Sequence, residues 1–348
     1  MILLYGANGY TGKLIIQRCL EKGLKPVLAG RNADEIRQLS TQHGLEHRIF
    51  GLDNPDEIVK GLEGMKAVIH AAGPFKFTSK PMVEGCLKTR TNYLDITGEI
   101  EIFEMCAAYD KAAKNAGAMV MPGSGFDVVP SDCLAAHLKK RLPDADTLQL
   151  AFAGLGGGVS RGTAKTVIEN LGMGGAVRKN GKIVLVPNAH KTMEVDFGDA
   201  KMLCACIPWG DVATAWRSTG IPNIEVYTGV NKKMARGMKM SNYFGWLLGT
   251  SLVRNFLKKR VESGPPGPSD ERRKKAKSYM WGKVSNPSGK SCVSLLYTPE
   301  GYTLTAMTAV ACAQKILAGN FKAGYQTPSM AYGADFILEV EGCVRKDV

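Results

Sequence analysis

The sequence predicts an α/β protein: an N-terminal domain built on a parallel sheet, followed by a second, mixed α/β domain. Three observations predict it. Short apolar runs alternate with helical stretches over the first ~120 positions, the rhythm of successive βαβ units. A glycine-rich turn, Gly6–Gly12, stands between the first apolar run and the first helix. Beyond Gly125 the rhythm breaks, and from Lys182 to Val230 the pattern is mostly strand.

The elements follow in order. Ile2–Tyr5 is the first strand, and Gly12–Glu21 carries Leu14, Ile15, Arg18 and Cys19 at helical spacing. Lys25–Ala29 is a strand, Asp34–Thr41 a helix and Arg48–Leu52 a third strand. Asp56–Leu62 (helix), Ala67–Ala72 (strand), Met82–Thr89 (helix), Asn92–Asp95 (strand), Phe103–Asn115 (helix) and Met119–Met121 (strand) complete the first domain. In the second, Ser131–Arg141 is helical, Thr147–Ala153 a strand, and a helical interlude falls near Asp211–Arg217. Ser263–Pro268 is a loop, because Gly and Pro dominate it. Ser291–Tyr297 and Tyr302–Thr305 are expected to pair as a hairpin, and helices are expected at Met307–Leu317 and Ser329–Val340. The domain expectation is therefore 1–124 for the first domain, 125–306 for an α/β substrate and dimerisation domain, and 307–348 for helices packing back on the first.

Composition narrows the function classes. Hydrophobic residues make up 45% and charged residues 22%, proportions of a soluble globular chain. The net charge of +13 could attract an anionic cofactor, membrane or nucleic acid. No Lys/Arg stripe is interleaved with aromatics, which argues against nucleic acid. Nine scattered cysteines suit a reducing cytosol, and Cys204 with Cys206 reads as two thiols on one strand face rather than half a metal site. No residue set has metal-ligand spacing. A strand beginning at residue 2 leaves no room for a leader, so a cytoplasmic location is expected. The run from Phe244 to Val253 is too short to span a bilayer, which takes about 20 residues of helix. Basic residues follow it: ten Lys or Arg against three Asp or Glu between Arg254 and Lys283. Residues 243–260 are thus a candidate for peripheral membrane contact, against a buried helix or a dimer contact as alternatives.

The strongest motif is Gly6-Ala7-Asn8-Gly9-Tyr10-Thr11-Gly12, placed between strand and helix as a dinucleotide fingerprint must be. Gly6 permits the tight turn, Gly9 lets backbone approach a pyrophosphate, and Gly12 lets helix sit close to strand. The helix N-terminus then faces the phosphates, with the helix dipole aiding. This predicts a Rossmann domain with Asn8, Tyr10 and Thr11 in the phosphate loop. NAD enzymes close the second strand with an acid that bonds the ribose 2′-hydroxyl. Here that place reads Ala29-Gly30-Arg31-Asn32, and a guanidinium suits a 2′-phosphate, so NADP(H) is the expected cofactor. Asp53 is a candidate adenine contact. Ala72, Gly73, Pro74 and Phe75, after the fourth strand, are candidate contacts to the nicotinamide ribose.

These segments resemble saccharopine dehydrogenase-like oxidoreductases. So do Tyr93-Leu94-Asp95-Ile96-Thr97-Gly98-Glu99, Gly125–Asp132 and Ser160-Arg161-Gly162-Thr163-Ala164. The branch that includes trans-acting enoyl reductases is similar. The resemblance covers about residues 1–165 and implies a Rossmann domain, an inserted α/β domain, NADP(H) and homodimerisation. Gly125-Phe126-Asp127-Val128-Val129-Pro130 departs from the saccharopine reductases, which makes saccharopine a poor substrate candidate.

Hydride transfer to C=C, C=O or C=N needs a proton donor near the acceptor. Glu99 follows the fifth strand and Asp127 the sixth, so both are expected at the cofactor crevice; Tyr93 on the fifth strand is a third candidate. A helix-capping role is the structural alternative for such carboxylates. His70, at the end of a core strand, reads as a buried structural histidine. Rival motifs fit less well. Gly158-Val159-Ser160-Arg161-Gly162 matches the hydrolase elbow, but only His190 follows, too close for an intervening acid-bearing unit. Ser160 reads instead as a helix cap. Tyr279-Met280-Trp281-Gly282-Lys283 has reductase spacing in the wrong place, Gly289-Lys290-Ser291 lacks a P-loop's first glycine, and His43 and His47 lack a third ligand. The leading expectation is an NADPH-dependent reductase of a small-molecule or lipid-linked C=C substrate. An imine-reducing dehydrogenase and a non-catalytic NADP-binding sensor or membrane-associated scaffold are the alternatives.

Overall fold

The computed structural model describes all residues, Met1–Val348. The first half runs β1 Ile2–Tyr5, α1 Tyr10–Glu21, β2 Val27–Gly30, α2 Ala33–His43, β3 His47–Ile49, α3 Pro55–Leu62, β4 Ala67–His70, α4 Phe75–Thr89, β5 Asn92–Asp95, α5 Ile100–Ala108, α6 Asp110–Ala116, β6 Met119–Met121 and α7 Val129–Arg141. Then come β7 Thr147–Leu155, α8 Arg161–Glu169, β8 Gly175–Lys179, β9 Lys182–Val186, β10 Thr192–Asp196, β11 Lys201–Cys206, α9 Asp211–Thr219 and β12 Asn223–Gly229. The remainder is α10 Lys232–Ser241, α11 Gly245–Leu248, α12 Ser251–Glu262, α13 Asp270–Lys275, β13 Lys277–Ser285, β14 Ser291–Pro299, α14 Gly301–Leu317, β15 Gly324–Tyr325, α15 Pro328–Tyr332 and β16 Val344–Asp347.

Two compact units result. The first comprises Met1–Val129 and Tyr302–Ala331. Its sheet is wholly parallel, in the order β15-β6-β5-β4-β1-β2-β3. The runs Ile2–Tyr5, Val27–Gly30, Ala67–His70 and Asn92–Asp95 are buried at every position, as strands covered by helices on both faces must be. Order reverses between β1 and β4, which opens a crevice beyond their C-terminal ends. Helix starts follow the local chemistry: the side chains of Asn32 and Asn54 cap α2 and α3, and Gly44 closes α2 in the left-handed region.

The second unit comprises Pro130–Gly301 and Tyr332–Val348. Its nine-stranded sheet is mixed; β12 and β7 pair in parallel, and its other pairs are antiparallel. Cys204 and Cys206 lie buried on β11, and all nine cysteines are free thiols. Ser160 caps α8, accepting from Thr163 N at 3.2 Å, and Tyr279–Lys283 lie in β13.

Several expectations are corrected. Tyr302–Thr305 is not a strand: α14 already begins at Gly301, and β14 pairs instead with β13 across the Asn286–Lys290 turn. The β-forming Tyr-Thr-Leu-Thr run obeys the helical packing of a long buried element. The third strand ends at Ile49, so Asp53 sits in the exposed turn beyond it. The helix expected at Ser329–Val340 is broken by Gly333, at φ 89°. Residues 332–348 belong to the second unit, where β16 extends the sheet beside β14. No helix is long and apolar enough to cross a membrane.

Candidate active site

The β1–α1 turn is built around three glycines. Gly6 adopts φ 85°, a conformation few side chains tolerate, and a β-carbon there would stand 2.8 Å from Ala72 N. A β-carbon on Gly12 would stand 2.3 Å from the Gly6 carbonyl oxygen and 2.9 Å from that of Ala7. Gly9 is the N-cap of α1 and supplies no side-chain cap. The first amides of this twelve-residue helix therefore face the crevice without a side-chain acceptor, as a phosphate-binding turn requires. Backbone bonds from Gly6 N to Ala29 O (2.8 Å) and Ala71 N to Tyr5 O (2.8 Å) tie the three strand ends together. Thr11 lies partly exposed in the first turn of α1. Tyr10 packs edge-on against Tyr302 of α14, with ring centroids 5.2 Å apart.

At the end of β2, Arg31 is exposed and makes no hydrogen bond or ion pair within the chain. Beside it is a residue that sequence reasoning missed. Glu35 accepts from Asn8 Nδ2 at 2.8 Å and from Asn32 Nδ2 at 2.6 Å, while its amide donates to Asn32 Oδ1. The acid absent from the end of β2 is thus replaced by one from the first turn of α2. Its signal was the Asn-x-x-Glu spacing of a capping motif.

The β4–α4 turn, Ala71–Phe75, contains a cis peptide at Gly73–Pro74. The Thr78 hydroxyl donates to Ala72 O at 2.7 Å, so the Nε2–H of His70 must donate to Thr78, at 3.0 Å. His70 is fully buried and neutral, its pKa pushed down to about 3 by burial, and its Nδ1 has no partner. Its place is structural: it holds the turn's shape through Thr78.

The third wall carries acids. Asp95, at the end of β5, accepts from Tyr93 Oη at 2.7 Å, Thr97 N at 3.0 Å and Gly123 N at 2.8 Å. Burial pushes its pKa up to about 6 despite those three donors. Tyr93 is fully buried and its hydroxyl is committed to Asp95; burial first, and that carboxylate second, hold its pKa well above the ordinary value. Glu99 and Asp127 come together. A β-carbon on Gly98 would stand 2.7 Å from Asp127 Oδ2, so that carboxyl lies against the chain beside Glu99. Burial pushes Asp127 up to about 7, and the Glu99 charge adds to the rise. Burial likewise pushes Glu99 up to about 7, only partly offset by a bond from the Phe75 amide. Its Oε1 has no hydrogen-bond partner. Sequence-distant support comes from α14: Phe126 N donates to Thr305 Oγ1 at 3.0 Å, and the Thr308 hydroxyl donates to Ser124 O at 2.8 Å.

These residues fit a pyridine dinucleotide. The glycine-lined turn, the uncapped helix and the unpaired Arg31 could take phosphates. Ala72–Phe75 and the Glu99–Asp127 pair would border the reactive ring. Asp53 stays exposed in the turn beyond β3.

Fold and site together define a protein with a Rossmann-type, pyridine nucleotide-binding domain. Residues 2–121 match the family described as saccharopine dehydrogenase NADP binding domain. A saccharopine dehydrogenase-like oxidoreductase of Mus musculus is 25% identical over 205 residues, covering 51% of this chain and 47% of that protein. A trans-acting enoyl reductase of Mycobacterium tuberculosis is 32% identical over 157 residues, covering 43% of this chain and 38% of that one. The chain thus spans about half, or less, of the length of the curated relatives it matches. Among solved structures, apo saccharopine dehydrogenase (L-Glu forming) from Saccharomyces cerevisiae superposes with a TM-score of 0.68, at 12% identity over 100% of this chain and 99% of that one. A homospermidine synthase from Legionella pneumophila, in complex with NAD, does so with a TM-score of 0.60, at 11% identity over 99% of this chain and 91% of that one. At such identities the two structures show the fold alone. Residues 2–121 of the chain thus match the saccharopine dehydrogenase NADP binding domain family.

Proposed function

We propose that the protein is an NADP(H)-dependent reductase of a hydrophobic or lipid-linked C=C bond, with Asp127 as proton donor and Glu99 as its partner. The observation that carries this reading is the pair of half-buried carboxyls at the end of the parallel sheet, both pushed up to about 7. A donor is most effective when its pKa lies near the working pH, and these do.

When bound, the reduced nicotinamide supplies a hydride, two electrons and one hydrogen, to one carbon of the double bond. The chain's residues do the rest. The α1 amides and Arg31 would hold the phosphates, and the Ala72–Phe75 turn would border the ring. The Asp127 carboxyl delivers a proton to the second carbon and is left as carboxylate. Glu99, partly exposed, returns a proton to it from solvent. Tyr93 serves as a positioning residue through Asp95. The choice of C=C over C=N is supported by the enoyl reductase relatives and by the apolar surface of the second unit. The choice of NADP(H) is supported by Arg31 and by the absence of an acid at Ala29–Asn32.

The test is NADPH oxidation, followed by loss of reduced-nicotinamide absorbance, with a medium-chain enoyl thioester and with a cyclic imine. Turnover of the thioester that drops about a hundredfold in Asp127→Asn, with NADPH affinity kept, supports the reading. Turnover of the imine alone overturns the substrate class. Tight NADPH binding with no turnover of either points to a sensor.

A further inference from the structure

The second unit carries an apolar face that no part of the chain covers. Between Met234 and Phe256, eight large hydrophobic side chains are exposed. Tyr243 is 75% exposed, Trp246 76% and Leu252 82%. Neither α11 nor α12 buries any residue. Monomeric proteins rarely expose contiguous apolar surface beyond a few hundred Å², and larger patches mark interaction sites.

Charge says what covers this one. From Lys232 to Glu262 the chain holds eight Lys or Arg residues and a single acid, Glu262. Glu262 is paired with Lys165, and Glu169 pairs with Arg254 and Lys258. Lys232, Lys233, Arg236, Lys239, Lys259 and Arg260 face solvent with no acid partner. On α12, Leu252 and Phe256 are one helical turn apart, and Lys259 and Arg260 continue the stripe by a further turn. Cations thus flank the apolar stripe on the side of α10 and at the end of α12. A protein partner of ordinary composition would not need cations on both sides of an apolar patch. A membrane interface with anionic headgroups does, since it takes up aromatic and aliphatic side chains while its phosphates take up the charge.

A groove beside this face fits the same chemistry. Between α8 and α12 lies an open depression of about 540 Å³, lined by Val159, Ala164, Val167, Ile168, Leu257 and Val261, with Arg260 at its edge. It is an open apolar depression with one cation at its edge, a lining that suits an amphiphile with an anionic head.

We infer that the α10–α12 surface seats the protein on an anionic lipid bilayer, with Tyr243, Phe244, Trp246, Leu252 and Phe256 entering the headgroup layer and the six unpaired cations holding lipid phosphates. This stands apart from the cofactor reading: nucleotide binding by the first unit is unaffected whichever way it falls.

Vesicle co-sedimentation of the full chain tests it. Phosphatidylcholine vesicles containing one quarter phosphatidylserine should pellet the protein, and pure phosphatidylcholine should do so at least about tenfold more weakly. Raised salt should release it. The triple variant Trp246→Ser/Leu252→Ser/Phe256→Ser should lose binding while keeping its circular dichroism and its thermal unfolding transition, which report an intact fold. Replacing Lys232, Lys233, Arg236 and Lys239 by Glu should weaken binding at least about tenfold without touching the apolar residues. In Trp246→Phe, sedimentation should persist while the vesicle-induced blue shift of tryptophan emission disappears. No sedimentation with either vesicle overturns the inference. So does a stable dimer in solution that the triple variant dissociates, since the face would then be a subunit contact.

Discussion

Glu99 and Asp127 set two carboxyls side by side, and the Glu99 charge adds to the burial that holds the Asp127 proton on. They come from the ends of neighbouring strands, β5 and β6, and meet because Gly98 has no side chain to keep the Asp127 carboxyl away. Burial has the larger effect on each. Both are pushed up to about 7.

The first consequence is a pH profile. A proton donor acts while protonated, so the reductase rate should be flat at acid pH and fall as pH rises through about 7. Asp127→Asn should lose about a hundredfold in kcat on the acid plateau and should no longer show the falling limb. Glu99→Gln should lose less and move the falling limb to lower pH, because its charge no longer raises Asp127. Steady-state rates from mildly acid to mildly alkaline buffer check this; an unmoved limb in Glu99→Gln would refute the coupling.

Stability should follow the same groups. Both carboxyls, and Asp95, have pKa values raised above those of the unfolded chain. Their contribution is full below the unfolded values near 4 and is lost as pH rises through about 6 to 7. The Tm should therefore decline between mildly acid and neutral pH more than in the Asp127→Asn variant. Parallel slopes for the two proteins, measured by calorimetry, would count against the raised values.

The glycine turn makes a graded prediction. Gly12→Ala places a methyl 2.3 Å from the Gly6 carbonyl oxygen, whereas at Gly9 the nearest such contact is 3.2 Å. Gly12→Ala should cost about 1–3 kcal/mol and abolish dinucleotide binding, because the helix must back away from the strand. Gly9→Ala should be milder in stability. Chemical denaturation and calorimetric titration with NADPH separate the two effects.

On the proposed reading, Arg31 and Glu35 should set cofactor choice. Arg31→Ala should weaken NADPH by about tenfold or more and leave NADH nearly unchanged. Glu35→Gln should strengthen NADPH relative to NADH, since a carboxylate held by Asn8 and Asn32 opposes a second anion nearby. Equal losses for both dinucleotides in Arg31→Ala would remove the guanidinium from the 2′-phosphate.

Tyr93→Phe removes a buried hydroxyl that donates to Asp95 at 2.7 Å. It should cost about 1–3 kcal/mol in stability and lower the rate without shifting its pH profile. A loss as large as that of Asp127→Asn, with a shifted limb, would instead make Tyr93 the donor.

What the sequence by itself determined is whatever depends on neighbours along the chain. Ile2–Tyr5, Gly6–Gly12 and the β5 and β6 segments declare strand, turn and strand through burial and backbone freedom alone, and the parallel sheet follows from their rhythm. The glycine turn between β1 and α1 was legible for the same reason. Only the tertiary structure decided what depends on distant residues meeting. It brought Glu35 onto Asn8, 27 positions away, and Gly123 N onto Asp95, 28 away. It made a helix of Tyr302–Thr305, whose β-forming residues pack beneath Gly125 and Phe126. It also joined Asp127 to Glu99 and raised both pKa values, because desolvation belongs to a place in the fold and not to a residue type.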